Sequence, residues 1–134
     1  MAKTNAIEGI GDAYAARLAE AGIKSTEGLL AKAATPADRK MLAEATGIDG
    51  SKILAWANRA DLFRIKGVST QYSDLLEAAG VDTVPELAQR NAANLHAKMA
   101  AVNAEKGLVR QLPSADMVAS WVEQAKSLPR VMQY

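Results

Sequence analysis

Two short segments hold the residue pattern with the clearest chemical use: Ile7-Glu-Gly-Ile-Gly11 and Ile65-Lys-Gly-Val-Ser69. Each runs apolar residue, spacer, glycine, apolar residue, small residue, and then a helix start. The glycine permits a positive φ and a sharp reversal of the chain. Ile10 and Val68 are placed to anchor the turn in the core, and the small residue after them leaves the first N–H groups of the next helix uncovered. Such groups, at the positive end of a helix, suit phosphate. The candidate binding residues are therefore Gly9, Ile10 and Gly11, with Lys66, Gly67 and Val68 as the second set. Gly47 and Lys52 join them from the looser turn Ala45-Thr-Gly-Ile-Asp-Gly50 and its sequel, and Arg110 from the stretch before Pro113. Basic side chains there would neutralise phosphate. Glu8 and Asp12 flank the first segment and oppose an anion, and Ser69 in place of a second glycine narrows approach to the other.

Other chemistry finds less support. Cysteine is absent, which excludes disulfides, thiolate metal sites and a cysteine nucleophile. His96 is the single histidine, and no carboxylate stands at ligand spacing on its helix face, so it is expected to be structural, with no metal and no cofactor. Asp74 with Glu77, and Arg17 with Glu20, are i, i+3 neighbours of the kind that make solvated helix faces. There is no phosphate-cradling GxxxxGK[ST] segment, and no serine, histidine and aspartate carry a recognisable triad signature. The chain is not expected to be an enzyme.

The 134 residues include 16 Lys and Arg against 15 Asp and Glu, a formal charge of +1. That excludes a polybasic tail while leaving room for a local basic patch. Hydrophobic residues make up 49% and aromatics 4%, so the core must come from Ala, Leu, Ile, Val and Met, a composition suited to packed helices rather than a sheet. No stretch approaches the roughly 18 apolar residues of a membrane span. The first residues lack an apolar signal core, and a cytoplasmic protein with no membrane partner is expected.

The candidate segments belong to a repeat. At an offset of 58, Ile7, Gly9, Tyr14, Leu18, Gly22 and Leu29 fall on Ile65, Gly67, Tyr72, Leu76, Gly80 and Leu87. The same register sets Lys40-Met41 on Lys98-Met99. An insertion around Lys106 to Pro113 then moves the offset to 65, which matches Ile53, Trp56 and Ala60 with Val118, Trp121 and Ala125. The expected organisation is one compact domain, 1–134, built from repeats at 7–64 and 65–129.

Each repeat reads as four helices. In the first, Gly11-Asp12 opens a helix through Tyr14 and Leu18 that Gly22 ends. Ser25 or Thr26 caps the next, Pro36 opens a third with Met41, Leu42 and Ala45, and Ser51 caps a fourth bearing Trp56. The second repeat follows at Ser69–Ala79, Thr83 to Arg90, Ala92–Glu105 and Ser114–Leu128, with Pro113 standing where the first has a glycine. Trp56 and Trp121 are expected to anchor their cores, and Tyr14 and Tyr72 to pack their rings while their hydroxyls reach a turn carbonyl. The expected fold class is all-α, about eight short helices with no segment of period two.

The paired glycine turns resemble the helix-hairpin-helix motif, in which hairpins hold the DNA backbone without reading sequence. Nearly end to end, the chain resembles a bacterial family, domain of unknown function four-three-three-two, built from tandem helix-hairpin-helix motifs. The likeness rests on Ile7-Glu-Gly-Ile-Gly11, Leu54-Ala-Trp-Ala-Asn-Arg-Ala-Asp-Leu62, Arg64-Ile-Lys-Gly-Val68 and Leu75-Leu-Glu-Ala-Ala-Gly-Val-Asp-Thr-Val-Pro-Glu-Leu87, and on Arg90-Asn91, Asn94-Leu-His96, Leu112-Pro-Ser114 and Ala125-Lys-Ser-Leu-Pro129. It implies two tandem units with the sterile-alpha-motif-like packing of helix-hairpin-helix modules, and no established activity. The expected partner is DNA or RNA backbone. The alternative is a protein partner, with the hairpins serving only to pack helices.

Overall fold

The computed structural model describes residues 2–134; every regular element among them is helical, apart from an isolated bridge between Lys3 and Ser25. The chain divides into two compact units, residues up to Asp61 together with Val131–Tyr134, and Leu62–Arg130. After a single 3-10 turn at Thr4–Ala6, the first unit contains α1 (Asp12–Glu20), α2 (Thr26–Lys32), α3 (Pro36–Thr46) and α4 (Gly50–Leu62), the last residue of α4 falling in the second unit. The second unit contains α5 (Thr70–Ala78), α6 (Val84–Ala88), α7 (Ala92–Lys106) and α8 (Ala115–Ser127).

Helix boundaries follow local chemistry. Ser25, Thr35, Asn91 and Ser114 each accept a hydrogen bond from the backbone N–H three residues on, satisfying a donor that the helix itself leaves open. α4 departs from expectation: Asp49 rather than Ser51 is its cap, its carboxylate accepting from the Ser51 N–H at 3.0 Å. Gly22 and Gly80 end α1 and α5 at φ +85° and +94°. Beyond them the Ile23 N–H donates to the Leu18 carbonyl at 2.8 Å, and the Val81 N–H to that of Leu76 at 2.9 Å. This six-to-one closure turns Ile23 and Val81 inward, and both are fully buried.

The core of the first unit is formed by residues such as Ile7, Leu18, Ile23, Leu29, Ile53 and Trp56. In the second, α8 packs on α6 and α7, and α5 packs on α7, around Leu75, Leu76, Leu87, Leu95, Met99 and Trp121. Two repeat assignments are corrected. α3 and α7 end on left-handed glycines, Gly47 at φ +72° and Gly107 at φ +61°, so Gly107 and not Pro113 is the counterpart of Gly47. Counted back from those glycines, Arg39 stands where Met99 does, and both are buried, whereas Met41 is 67% exposed. Ala45 is exposed as well.

Arg39 has a structural task. Its guanidinium donates to the carbonyls of Ala33 at 2.9 Å, Ala34 at 3.1 Å and Gln133 at 2.9 Å. The Gln133 N–H in turn donates to the Ala34 carbonyl at 2.8 Å, and Met132 is fully buried. The Tyr134 hydroxyl donates to Asn58 Oδ1 at 2.6 Å. The last four residues are thus strapped onto the first unit.

Candidate functional site

The first glycine turn is built around Trp56. Gly9 adopts φ +95°, and the Ile10 N–H donates to the Ile7 carbonyl at 3.1 Å, closing the turn with both isoleucines buried. A Cβ on Gly9 would stand 3.4 Å from Trp56 Nε1, so the bare glycine lies directly over the indole nitrogen. Gly11 is extended and supplies no side-chain cap to α1. Without a cap the N–H groups of Asp12, Ala13 and Tyr14 have no acceptor among the described residues, and neither do those of Gly9 and Gly11. Tyr14 meets Trp56 edge-on, with ring centroids 5.1 Å apart. The Arg17 guanidinium lies 5.8 Å and the Lys52 ammonium 6.0 Å from the Tyr14 ring centroid. Asp49, three residues before Lys52, has its carboxyl held below the usual carboxylate range by hydrogen bonds from the Ser51 N–H and hydroxyl, with the Lys52 charge adding to the effect.

The second turn repeats this construction. Gly67 adopts φ +94°, the Val68 N–H donates to the Ile65 carbonyl at 3.2 Å, and a Cβ on Gly67 would stand 3.1 Å from Trp121 Nε1. Tyr72 packs on Trp121 with centroids 5.4 Å apart. Three differences set it apart. Ser69 Oγ accepts from the Tyr72 N–H at 3.4 Å, so the small residue here covers an amide that was expected to stay open. Gln124 grips Lys66, its Oε1 accepting from the Lys66 N–H at 2.9 Å and its Nε2 donating to the Lys66 carbonyl at 3.2 Å. And Lys66 and Thr70 stand where the first turn has Glu8 and Asp12, so no acidic residue lies in the first turn of α5.

The candidate residues form one group in each unit. Gly9, Ile10, Gly11 and Lys52 gather about Tyr14 and Trp56, while Gly47 lies apart at the end of α3. Lys66, Gly67 and Val68 gather about Trp121, and the Tyr72 hydroxyl donates to the Gln111 carbonyl at 3.2 Å, which brings the segment carrying Arg110 to the α5 side of the turn. Lys52, Lys66 and Arg110 are exposed. Sequence reasoning missed Arg17 and Gln124. Each lies three residues beyond an aromatic on its own helix, Tyr14 and Trp121, but nothing in the sequence singles either out for the turn.

Elsewhere the chemistry is sparse. His96 is half-buried and its Nε2–H donates to the Pro113 carbonyl at 2.9 Å, tying α7 to the segment before α8. Among the described residues no three His, Asp or Glu side chains are grouped to hold a metal, and no helix is long and apolar enough to cross a membrane.

No curated protein and no solved structure matches the chain. A family model does: "Domain of unknown function (DUF4332)" matches residues 8–128, from within the first glycine turn to the residue after α8. The chain belongs to the DUF4332 family.

Proposed function

We propose that this is a non-catalytic helix-hairpin-helix protein of the bacterial cytoplasm that holds the backbone of DNA or RNA without reading its sequence. The observation that carries the reading is the doubled construction. In each unit a glycine turn with unused backbone donors meets exposed cations through the tyrosine one turn into the next helix. Backbone donors and point charges recognise phosphate, which every nucleotide presents alike. Glycine at the apex lets a phosphate come close to the main chain. The net charge of +1 implies few such contacts, hence modest affinity.

Titrating DNA duplexes of unrelated sequence at low and moderate salt tests this. Similar affinities and a shallow negative dependence on salt are expected, with Lys66→Glu weakening all of them alike. No binding at low salt, or binding indifferent to Lys66→Glu, overturns the reading.

A protein-docking role is the second reading, and one observation favours it. Met41 stands exposed beside a cavity of about 360 Å³ lined also by Ala21, Ala31, Lys32, Asp38 and Leu42. Apolar surface of that kind is a common feature of protein contacts.

A further inference from the structure

The two tryptophans have a polar atom that the fold leaves unused. Trp56 is 5% exposed and Trp121 2%, yet neither indole N–H has an acceptor among the described residues. No sealed side-chain nitrogen lacks a partner in those residues, so both N–H groups reach solvent. Each indole nitrogen lies against its glycine turn, being the nearest atom to where a Cβ on Gly9 or Gly67 would stand. A side chain at either position would crowd that nitrogen. An indole is a donor only, so the group it awaits is an acceptor.

We infer that the Trp121 indole N–H is a ligand-contacting donor which, with the Gly67 and Ser69 N–H groups and the Lys66 ammonium, makes the second turn the principal anion site, its ligand a phosphate of the nucleic-acid backbone. This rests on the function proposed above. Four observations converge on the second turn. The indole nitrogen has no acceptor among the described residues and lies 3.1 Å from where a Cβ on Gly67 would stand. The Gly67 and Ser69 N–H groups have no acceptor among the described residues. Gln124 holds the Lys66 backbone in place without consuming its ammonium. The first turn of α5 carries no carboxylate. The first unit serves as an internal control: its indole is presented in the same way, but between Glu8 and Asp12.

The test follows both indole N–H resonances of the whole protein by NMR while a short mixed-sequence DNA duplex, or inorganic phosphate alone, is added. Trp56→Phe assigns the two signals. Expected are a saturable shift of the Trp121 signal with the duplex, larger than that of Trp56, and a much weaker response to inorganic phosphate. Trp121→Phe keeps a ring against Tyr72 and is expected to lower duplex affinity about tenfold to a hundredfold, the range for losing one hydrogen bond to a charged group. If the duplex binds while the Trp121 signal stays still, the inference fails and the functional reading survives. If no duplex binds at low salt, both fail. A response to inorganic phosphate as tight as that to the duplex makes this a free-anion site and overturns the nucleic-acid ligand.

Discussion

Gln124 holds Lys66 by both of its main-chain polar groups, accepting from its N–H at 2.9 Å and donating to its carbonyl at 3.2 Å. One amide side chain thereby does for the turn what a paired strand would do for an edge residue. The glycine beyond it is then presented over Trp121 in a fixed attitude, and the Lys66 ammonium projects from an immobilised backbone. Gln124→Ala removes both bonds and is expected to destabilise the fold by about 1 kcal/mol, toward the low end per bond because the turn is exposed. Gln124→Glu retains the acceptor and is expected to lose roughly half as much. Chemical denaturation of the two variants against the parent measures the difference.

Gly67 and Gly11 occupy turns of the same design, yet substitutions there should act in opposite directions. Gly67 has φ +94° and a Cβ would stand 3.1 Å from Trp121 Nε1, so Gly67→Ala combines backbone strain with crowding. A loss of about 1–3 kcal/mol is expected in denaturant unfolding. Gly11 lies at φ −83° with no atom within 4 Å of a Cβ, and its counterpart Ser69 already caps α5. Gly11→Ser is therefore expected to stabilise the first unit by a few tenths of a kcal/mol, about the difference between glycine and serine as caps. On the proposed function it should also weaken binding in duplex titrations, because its hydroxyl would take up the Tyr14 N–H, the counterpart of the Tyr72 N–H that Ser69 covers.

The repeat was legible in sequence wherever a residue type is irreplaceable. Positive φ demands glycine at Gly9, Gly22, Gly67 and Gly80, and a flat indole under the turn demands tryptophan at Trp56 and Trp121, so both offsets of the repeat were visible. Where side chains are interchangeable, register was lost. Met41 was aligned with Met99 by identity, but burial pairs Met99 with Arg39, whose charge is satisfied by three carbonyls instead of by water. Periodicity cannot reveal that exchange, because an arginine marks a helix face as polar whether or not it is buried. The C-terminal strap was invisible for a different reason. Four extended residues have no period, and Met132 alone does not identify a core position. The site was half legible: its glycines and cations follow from the motif, whereas Gln124 and the bare indole nitrogens emerge only from three-dimensional contacts.

The strap makes the last four residues structural. Met132 is fully buried and the Gln133 carbonyl is one of the three acceptors of Arg39. Met132→Ala is expected to cost about 2–4 kcal/mol, in the range for a buried methionine truncated to alanine. Truncation after Arg130 should cost at least as much, since it also removes an acceptor from a buried guanidinium. Thermal or denaturant unfolding of the two variants checks both the magnitude and the order.

Asp49 gives the protein an acid-sensitive helix cap. Its carboxyl is held below the usual range in the folded state by the Ser51 N–H and hydroxyl, with Lys52 assisting. A carboxyl depressed on folding adds stability that is full above its unfolded value and lost as pH falls through the folded one. The stability difference between the parent and Asp49→Asn is therefore expected to be constant at neutral pH. It should shrink as pH drops below the ordinary carboxylate range. Denaturant midpoints of the pair across that range measure it, and a difference that stayed constant into strong acid would contradict the assignment of Asp49 as the cap.

Glu8 and Lys66 hold the same place in their respective turns, and their opposite charges provide the sharpest test of how the two units divide the work. Both are exposed, so reversing either changes the local potential with little effect on packing. Glu8→Lys removes a repulsion and adds a cation beside the unused amides of Gly9 and Gly11. It is expected to raise duplex affinity several-fold and to steepen the salt dependence by about one unit of slope, the signature of one added phosphate contact. Lys66→Glu should do the reverse by a similar amount. The double variant, with the charges exchanged between turns, should restore binding toward the parent while moving the larger tryptophan NMR response from Trp121 to Trp56. Restored affinity with the response still at Trp121 would mean that the second turn owes its role to Gln124 and Ser69 rather than to charge.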